Sequence, residues 1–220
     1  GQFVFLGPRP DGLPHTMTGD LTISTGAGLE LSETTLSLPA SGVVEVEGSG
    51  ELTGSGATLV ANSVSLGIDS VLTQSDGGQA MTIDSNITWV CQSTRSSSNI
   101  IILGSLVLQP GCTVEMLEGS VEGTVTALTS AELTILSSLQ LTVLDKGEPV
   151  EGALIMIDGA STTTDSNGEV STTATARHVD DNSETIGGTK NINLQIGSFM
   201  DFVTWDSSSS FEHTFMASAI

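Results

Sequence analysis

Apolar and polar residues alternate in short runs along residues 15–138. Examples are Leu21-Thr22-Ile23-Ser24, Leu29-Glu30-Leu31-Ser32, Thr35-Leu36-Ser37-Leu38 and Val43-Val44-Glu45-Val46-Glu47. The same texture continues through Ala57-Thr58-Leu59-Val60, Ser63-Val64-Ser65-Leu66, Met81-Thr82-Ile83-Asp84, Thr113-Val114-Glu115-Met116 and Leu133-Thr134-Ile135-Leu136. A period of two is the signature of a half-buried strand. The breaks between runs are Gly, Ser, Asn and Asp, the residues that turns prefer. No stretch holds an i, i+3, i+4 apolar pattern among helix formers, so an all-β chain is expected.

The strands are short and closely spaced. Hairpin sandwiches have longer strands and clearer two-residue turns. Short strands with small-residue corners and few aromatics fit a β-solenoid, in which each strand pairs with its equivalents one rung above and below. The inward face is then a ladder of Leu, Val and Ile, and the outward face is Ser and Thr. Cys91 and Cys112 lie about one three-strand rung apart. Equivalent positions on adjacent rungs sit about 4.8 Å apart, inside the Cα range of about 4.4–6.8 Å that a disulfide tolerates. A bridge between rungs is therefore expected, the alternative being two buried thiols.

Near residue 140 the pattern changes. Leu141 to Asp158 reads as strand, turn, strand around Lys146-Gly147-Glu148-Pro149-Val150, with Gly152-Ala153 opening the second strand. Thr163-Thr164-Asp165-Ser166-Asn167-Gly168-Glu169-Val170 is a further turn and strand. Residues 139–175 resemble the carboxypeptidase-regulatory-like and bacterial Ig-like modules, which implies a small β-sandwich used as a stalk, spacer or adhesive unit. Strand candidates follow at 192–196 and 211–215. A shorter motif, His15-Thr16-Met17-Thr18-Gly19-Asp20-Leu21-Thr22-Ile23, is similar to the Met-Thr-Gly-Asp-Leu motif of phage tail-fibre repeats. The expected organisation is an N-terminal arm or cap at 1–14, a β-solenoid (parallel β-helix-like) at 15–138, and an Ig-like or transthyretin-like β-sandwich at 139–220.

Composition narrows the function. Hydrophobic residues make up 38 % and mean hydropathy is +0.19, which excludes a disordered acidic chain. Five Lys and Arg against 26 Asp and Glu give a formal net charge of −21. That balance argues against nucleic acid and anionic lipid as partners. The longest apolar run, Ile100-Ile101-Ile102-Leu103, ends at Gly104, so no transmembrane segment is expected. The opening Gly1-Gln2-Phe3 is what a processed or trimmed chain looks like.

Candidate chemistry is sparse. A polysaccharide-cleaving β-helix needs carboxylates with a base or cation in a sugar-binding groove. Residues 15–138 hold Arg95 as their single cation and Trp89 as their single Trp, with Asp20, Asp69, Asp76 and Asp84 scattered at turn-like positions. His15, His178 and His213 lack zinc-site spacing, and no nucleophile elbow or phosphate loop occurs. Calcium is the one ion the residues suggest. Asp165 and Asn167 place oxygens at alternating positions before Gly168, and Asp180 and Asp181 form a similar loop; an Asx-stabilised turn explains both equally. No other cofactor is indicated. Asn86-Ile87-Thr88 is a glycosylation sequon.

The N-terminal tetrad Phe3, Val4, Phe5 and Leu6 precedes a Gly-Pro-Arg-Pro break. It reads either as a strand on the protein's own solenoid end or as an assembly arm that adds to a neighbour's sheet edge. The overall expectation is a non-enzymatic extracellular or cell-surface subunit that polymerises with itself. The alternatives are an adhesin or fibre module that binds carbohydrate or a cell surface, and a polysaccharide-active enzyme.

Overall fold

The computed structural model describes residues 2–75 and 77–217; Gly1, the turn acid Asp76 and residues 218–220 lie outside them. Among the described residues there are strands and turns and no helix. The chain divides into two units, one comprising Gly1–Ile135 with His178–Thr185, the other Leu136–Arg177 with the chain from Ile186 onward.

The first unit is a β-solenoid of parallel strands. Its first rung is β1 (Phe3–Leu6), β2 (His15–Thr16) and β3 (Leu21–Ile23). The second is β4 (Gly28–Ser32), β5 (Thr35–Ser37) and β6 (Val43–Val46). In the third, β7 (Glu51–Ser55) is followed by one long strand, β8 (Thr58–Leu66), that bends across two faces; β9 (Val71–Gln74) and β10 (Met81–Trp89) repeat this in the fourth. The fifth is β11 (Arg95–Ser98), β12 (Ile100–Ile102) and β13 (Leu106–Leu108), and the sixth β14 (Thr113–Leu117), β15 (Ser120–Val121) and β16 (Val125–Ala127).

Parallel pairing fixes which side chains stack. Leu36, Leu59, Ile83, Ile102 and Val121 are successive partners. So are Ile23, Val46, Leu66, Trp89, Leu108 and Ala127. The central members of both columns are fully enclosed. Each buried Leu, Ile or Val stabilises the fold by about 1.5–3 kcal/mol relative to exposure. The outward neighbours stack too, as Thr35, Thr58 and Thr82, and as Glu45, Ser65 and Thr88.

The corners explain much of the remaining sequence. Leaving the first face, the chain turns through one residue with positive φ on the second, third, fifth and sixth rungs: Glu33 (φ 47), Gly56 (φ 58), Asn99 (φ 50) and Glu118 (φ 54). Glu33 N–H donates to Ser55 O, Gly56 N–H to Gln79 O and Asn99 N–H to Leu117 O, so the ladder continues through the bend. At another corner side chains carry the ladder. Asp20 Oδ1 accepts from Val43 N–H, and Asn86 Oδ1 accepts from Ser105 N–H, both at 2.9 Å. Gly104 packs there against Ser85: a Cβ would lie 2.1 Å from the Ser85 carbonyl oxygen. A disulfide joins Cys91 and Cys112, with their Cα atoms 4.7 Å apart.

The second unit starts within β17 (Glu132–Asp145), followed by β18 (Glu148–Pro149), β19 (Leu154–Ile157) and β20 (Ala160–Thr163). Then come β21 (Glu169–Asp180), β22 (Glu184–Ile186), β23 (Thr189–Ile196), β24 (Phe199–Asp206) and β25 (Phe211–Met216). One sheet has the order β20-β19-β23-β24, with antiparallel neighbours throughout. In the other, β17 lies beside β21 and pairs in parallel with β25. Leu139, Leu141, Val143 and Phe215 from the second sheet share one core with Ile155, Ile192, Leu194 and Trp205 from the first. Its buried polar groups are satisfied: Ser137 Oγ donates to Ser207 O at 2.7 Å, and Trp205 Nε1 to Ser209 O at 2.7 Å.

Two stability measurements follow. Leu59→Ala, at the centre of a buried column, should cost about 2–5 kcal/mol in denaturant unfolding, while Thr58→Ala on the outer face should stay within about 0.5 kcal/mol. Replacing Cys91 and Cys112 together by Ser releases a 21-residue loop and should cost about 3 kcal/mol; an unchanged midpoint would mean that the bridge does not constrain the unfolded chain.

Candidate functional site

The residues of the N-terminal tetrad form β1, which pairs in parallel with β4: Phe3 with Gly28, Val4 with Leu29, Phe5 with Glu30 and Leu6 with Leu31. The tetrad thus lies on the protein's own solenoid as its first strand. Alternation sends Val4 and Leu6 toward the interior and Phe3 and Phe5 outward. The Phe3 ring lies over Gly28, where a Cβ would come within 2.2 Å of it. Phe3 and Phe5 remain 64 % and 63 % exposed.

Among the described residues, every first-rung strand is paired on one edge alone: β1 with β4, β2 with β5 and β3 with β6. The interior of the coil opens at this end into a concavity of about 540 Å³, lined by Val4, Leu6, Met17, Leu21, Ile23 and Leu29. The connection from β1 to β2 is held to one side. Arg9 and Asp11 form an ion pair at 2.7 Å, and His15 Nε2 meets Gly7 O at 2.9 Å. The Arg9 guanidinium, together with the Leu13 N–H, holds the Asp11 carboxyl below the usual carboxylate range. β1 itself carries no proline, charge or bulge, the devices that blunt exposed sheet edges.

The other end of the first unit differs. His178–Thr185 belongs to this unit although it lies far along the chain. Asp181 Oδ2 accepts from Ser130 N–H at 2.9 Å, and Thr134 Oγ1 meets His178 Nδ1 at 3.0 Å. Asp180 Oδ1 accepts from the N–H groups of Asn182 and Ser183, which hold its carboxyl below the usual range, with a smaller contribution from His178. In the second unit Asp165 Oδ1 accepts from the N–H groups of Asn167 and Glu169, both at 2.9 Å. The four calcium candidates thus sit in different units, and Asp165, Asp180 and Asp181 already face backbone donors. Among the described residues no group of three His, Cys, Asp or Glu side chains could hold a metal ion. Arg95 forms an ion pair with Asp69. Asn86 is exposed on the solenoid surface, its Oδ1 committed to Ser105.

Two features of the second unit escaped sequence reasoning. In β24 both alternating sets carry large apolar residues: Phe199, Val203 and Trp205 pack with the core, while Met200 and Phe202 are 69 % and 75 % exposed. Cross-strand register puts Leu154, Gln195 and Met200 in one row and Met156, Asn193 and Phe202 in the next. The signal was the run Phe-Met-Asp-Phe-Val-Thr-Trp, which lacks a polar face to mark its outside. The second feature is a groove of about 360 Å³ whose lining includes Asp158, Lys190, Ser161, Thr162, Ser171 and Thr172. Lys190 and Asp158 pair at 3.2 Å. The Asp158 carboxyl is held low mainly by the Asn191 N–H and then by Lys190.

The Asp180 turn gives a pH prediction. Its native pKa is lowered, so its stabilising contribution is present above the unfolded value of about 3.9 and is lost as pH falls through the native one. Asp180→Asn should therefore lower the unfolding midpoint at pH 6, with the difference shrinking as pH falls below the unfolded value; an equal loss at every pH would refute this role.

In comparisons with known proteins, the chain matches no family model and no curated protein.

Proposed function

We propose that the chain is a non-enzymatic structural module of the cell exterior that self-assembles through the strand edges of its solenoid. The observation that carries this reading is the solenoid's surface: among the described residues, outward columns of Thr and Ser flank a first strand, β1, that carries exposed Phe3 and Phe5 with no proline, charge or bulge. Unpaired edges that flank exposed apolar residues are templates for further β-pairing. The outer columns of Thr and Ser keep the flanks hydrated, which confines association to the apolar strand. The disulfide favours an oxidising compartment outside the cytosol. In this reading the second unit is an Ig-like β-sandwich that acts as spacer or docking module.

A second reading, a carbohydrate-binding adhesin, draws on the groove of the second unit. Hydroxyls of Ser161, Thr162, Ser171 and Thr172 beside the Asp158–Lys190 pair suit a polyhydroxylated ligand.

The test is sedimentation velocity and negative-stain electron microscopy of the whole chain and of a variant lacking residues 2–6. The parent should form concentration-dependent assemblies that the truncation abolishes, while far-ultraviolet circular dichroism keeps its β signal. A monodisperse monomer at all concentrations, with binding on a glycan array, would replace the first reading by the second.

A further inference from the structure

We infer that Asn86 carries an N-linked glycan, an inference that rests on the extracellular part of the proposed function and not on self-assembly. Asn86-Ile87-Thr88 is the chain's one Asn-x-Ser/Thr sequence. It lies in the extended backbone of β10, where alternation buries Ile87 and Trp89 and turns Asn86 and Thr88 outward together. The Asn86 side chain divides its two functions. Oδ1 accepts from Ser105 N–H at 2.9 Å, while Nδ2 has no hydrogen-bond partner among the described residues. The atom that a glycan would take is the one the fold leaves unused.

The same corner shows that the fold does not need that nitrogen. Asp20 stands in the column of Asn86, and its Oδ1 accepts from Val43 N–H at 2.9 Å. A carboxylate there fills the role that the amide oxygen fills at Asn86. In the transfer, Nδ2 bonds to the anomeric carbon of an oligosaccharide as that carbon's bond to a lipid pyrophosphate breaks. The amide gives up one proton and the lipid pyrophosphate leaves. Oδ1 and one N–H remain, so Ser105 keeps its acceptor.

The surroundings also suit a sugar. The register between β8 and β10 shifts between Asp84 and Asn86. A recess of about 360 Å³ lies at this corner, with Asn86 in its wall. Pro39, Ala61 and Leu103 give it apolar surface, and Asn62 and Asp84 give it polar groups. Leu103 is 45 % exposed. A pyranose ring has an apolar C–H face and a rim of hydroxyls, so the first sugar can rest on Leu103 and turn its hydroxyls to Asn62 and Asp84. Ser63 and Ser105 flank Asn86 along the column and are small enough not to obstruct it. A neutral glycan here hydrates an exposed leucine without adding to a formal net charge of −21.

The experiment is secretion of the whole chain from a eukaryotic host, with intact-mass measurement and peptide mapping before and after a glycan-releasing amidase. The expected result is a mass gain confined to the peptide that holds Asn86, removed by the amidase with conversion of Asn86 to aspartate. Thr88→Ala, which leaves the Ser105 contact intact, should abolish the gain, and Thr88→Ser should retain it. Asn86→Asp should abolish it while keeping the thermal midpoint of the enzymatically deglycosylated parent, because the acceptor oxygen stays. A secreted chain with its disulfide formed and no sugar at Asn86 would overturn the inference and leave the extracellular reading standing. A chain that folds when made in the cytosol but is misfolded and degraded on the export route would overturn both.

Discussion

Parallel pairing of each strand with its equivalent one rung away is the constraint on which the solenoid depends. Because the rise between rungs is constant, a side chain sees its own counterpart above and below, and a column must be chemically uniform to pack. The Leu36-to-Val121 and Ile23-to-Ala127 columns satisfy this with aliphatic residues and one Trp. The outer Thr35, Thr58 and Thr82 column satisfies it with hydroxyls. Acidic residues are interrupted by Ser and Thr in the same columns, as with Glu45, Ser65 and Thr88, so that like charges are not stacked at strand spacing.

The parts of the fold legible in the sequence are those governed by local periodicity. Alternation identified short strands, and their density indicated stacked coils. What periodicity does not encode was harder to read. The corner residues Glu33 and Glu118 adopt positive φ without being glycine; their backbone is held by hydrogen bonds to the next rung, a long-range cause that leaves no mark in composition. β8 and β10 run through a corner where separate short strands were expected. The return of His178–Thr185 to the first unit depends on contacts with Ser130 and Thr134, distant in sequence.

The candidate site was legible only in part, for a related reason. The apolar tetrad Phe3 to Leu6 stands out against a Ser- and Thr-rich background. That it pairs with Gly28 to Leu31 depends on a partner twenty-odd residues away. Asp165, Asp180 and Asp181 looked like oxygen ligands because turn carboxylates and ion-binding carboxylates occupy the same residue patterns. The backbone donors that they face become visible only once the turns are built.

The disulfide has a mechanical meaning. A solenoid pulled by its ends gives way like a zipper, one rung at a time, because each rung is held chiefly by its neighbours. Cys91 follows the last strand of the fourth rung, and Cys112 precedes the first strand of the sixth. Tension can therefore peel rungs one to four in sequence, but the fifth is shunted by a covalent link and its 21-residue loop stays slack. The bridge withholds roughly 70 Å of contour length, at about 3.3–3.6 Å per extended residue. Under load the bridge would act as a bypass, keeping the fifth rung out of a tear that starts at the N-terminal side.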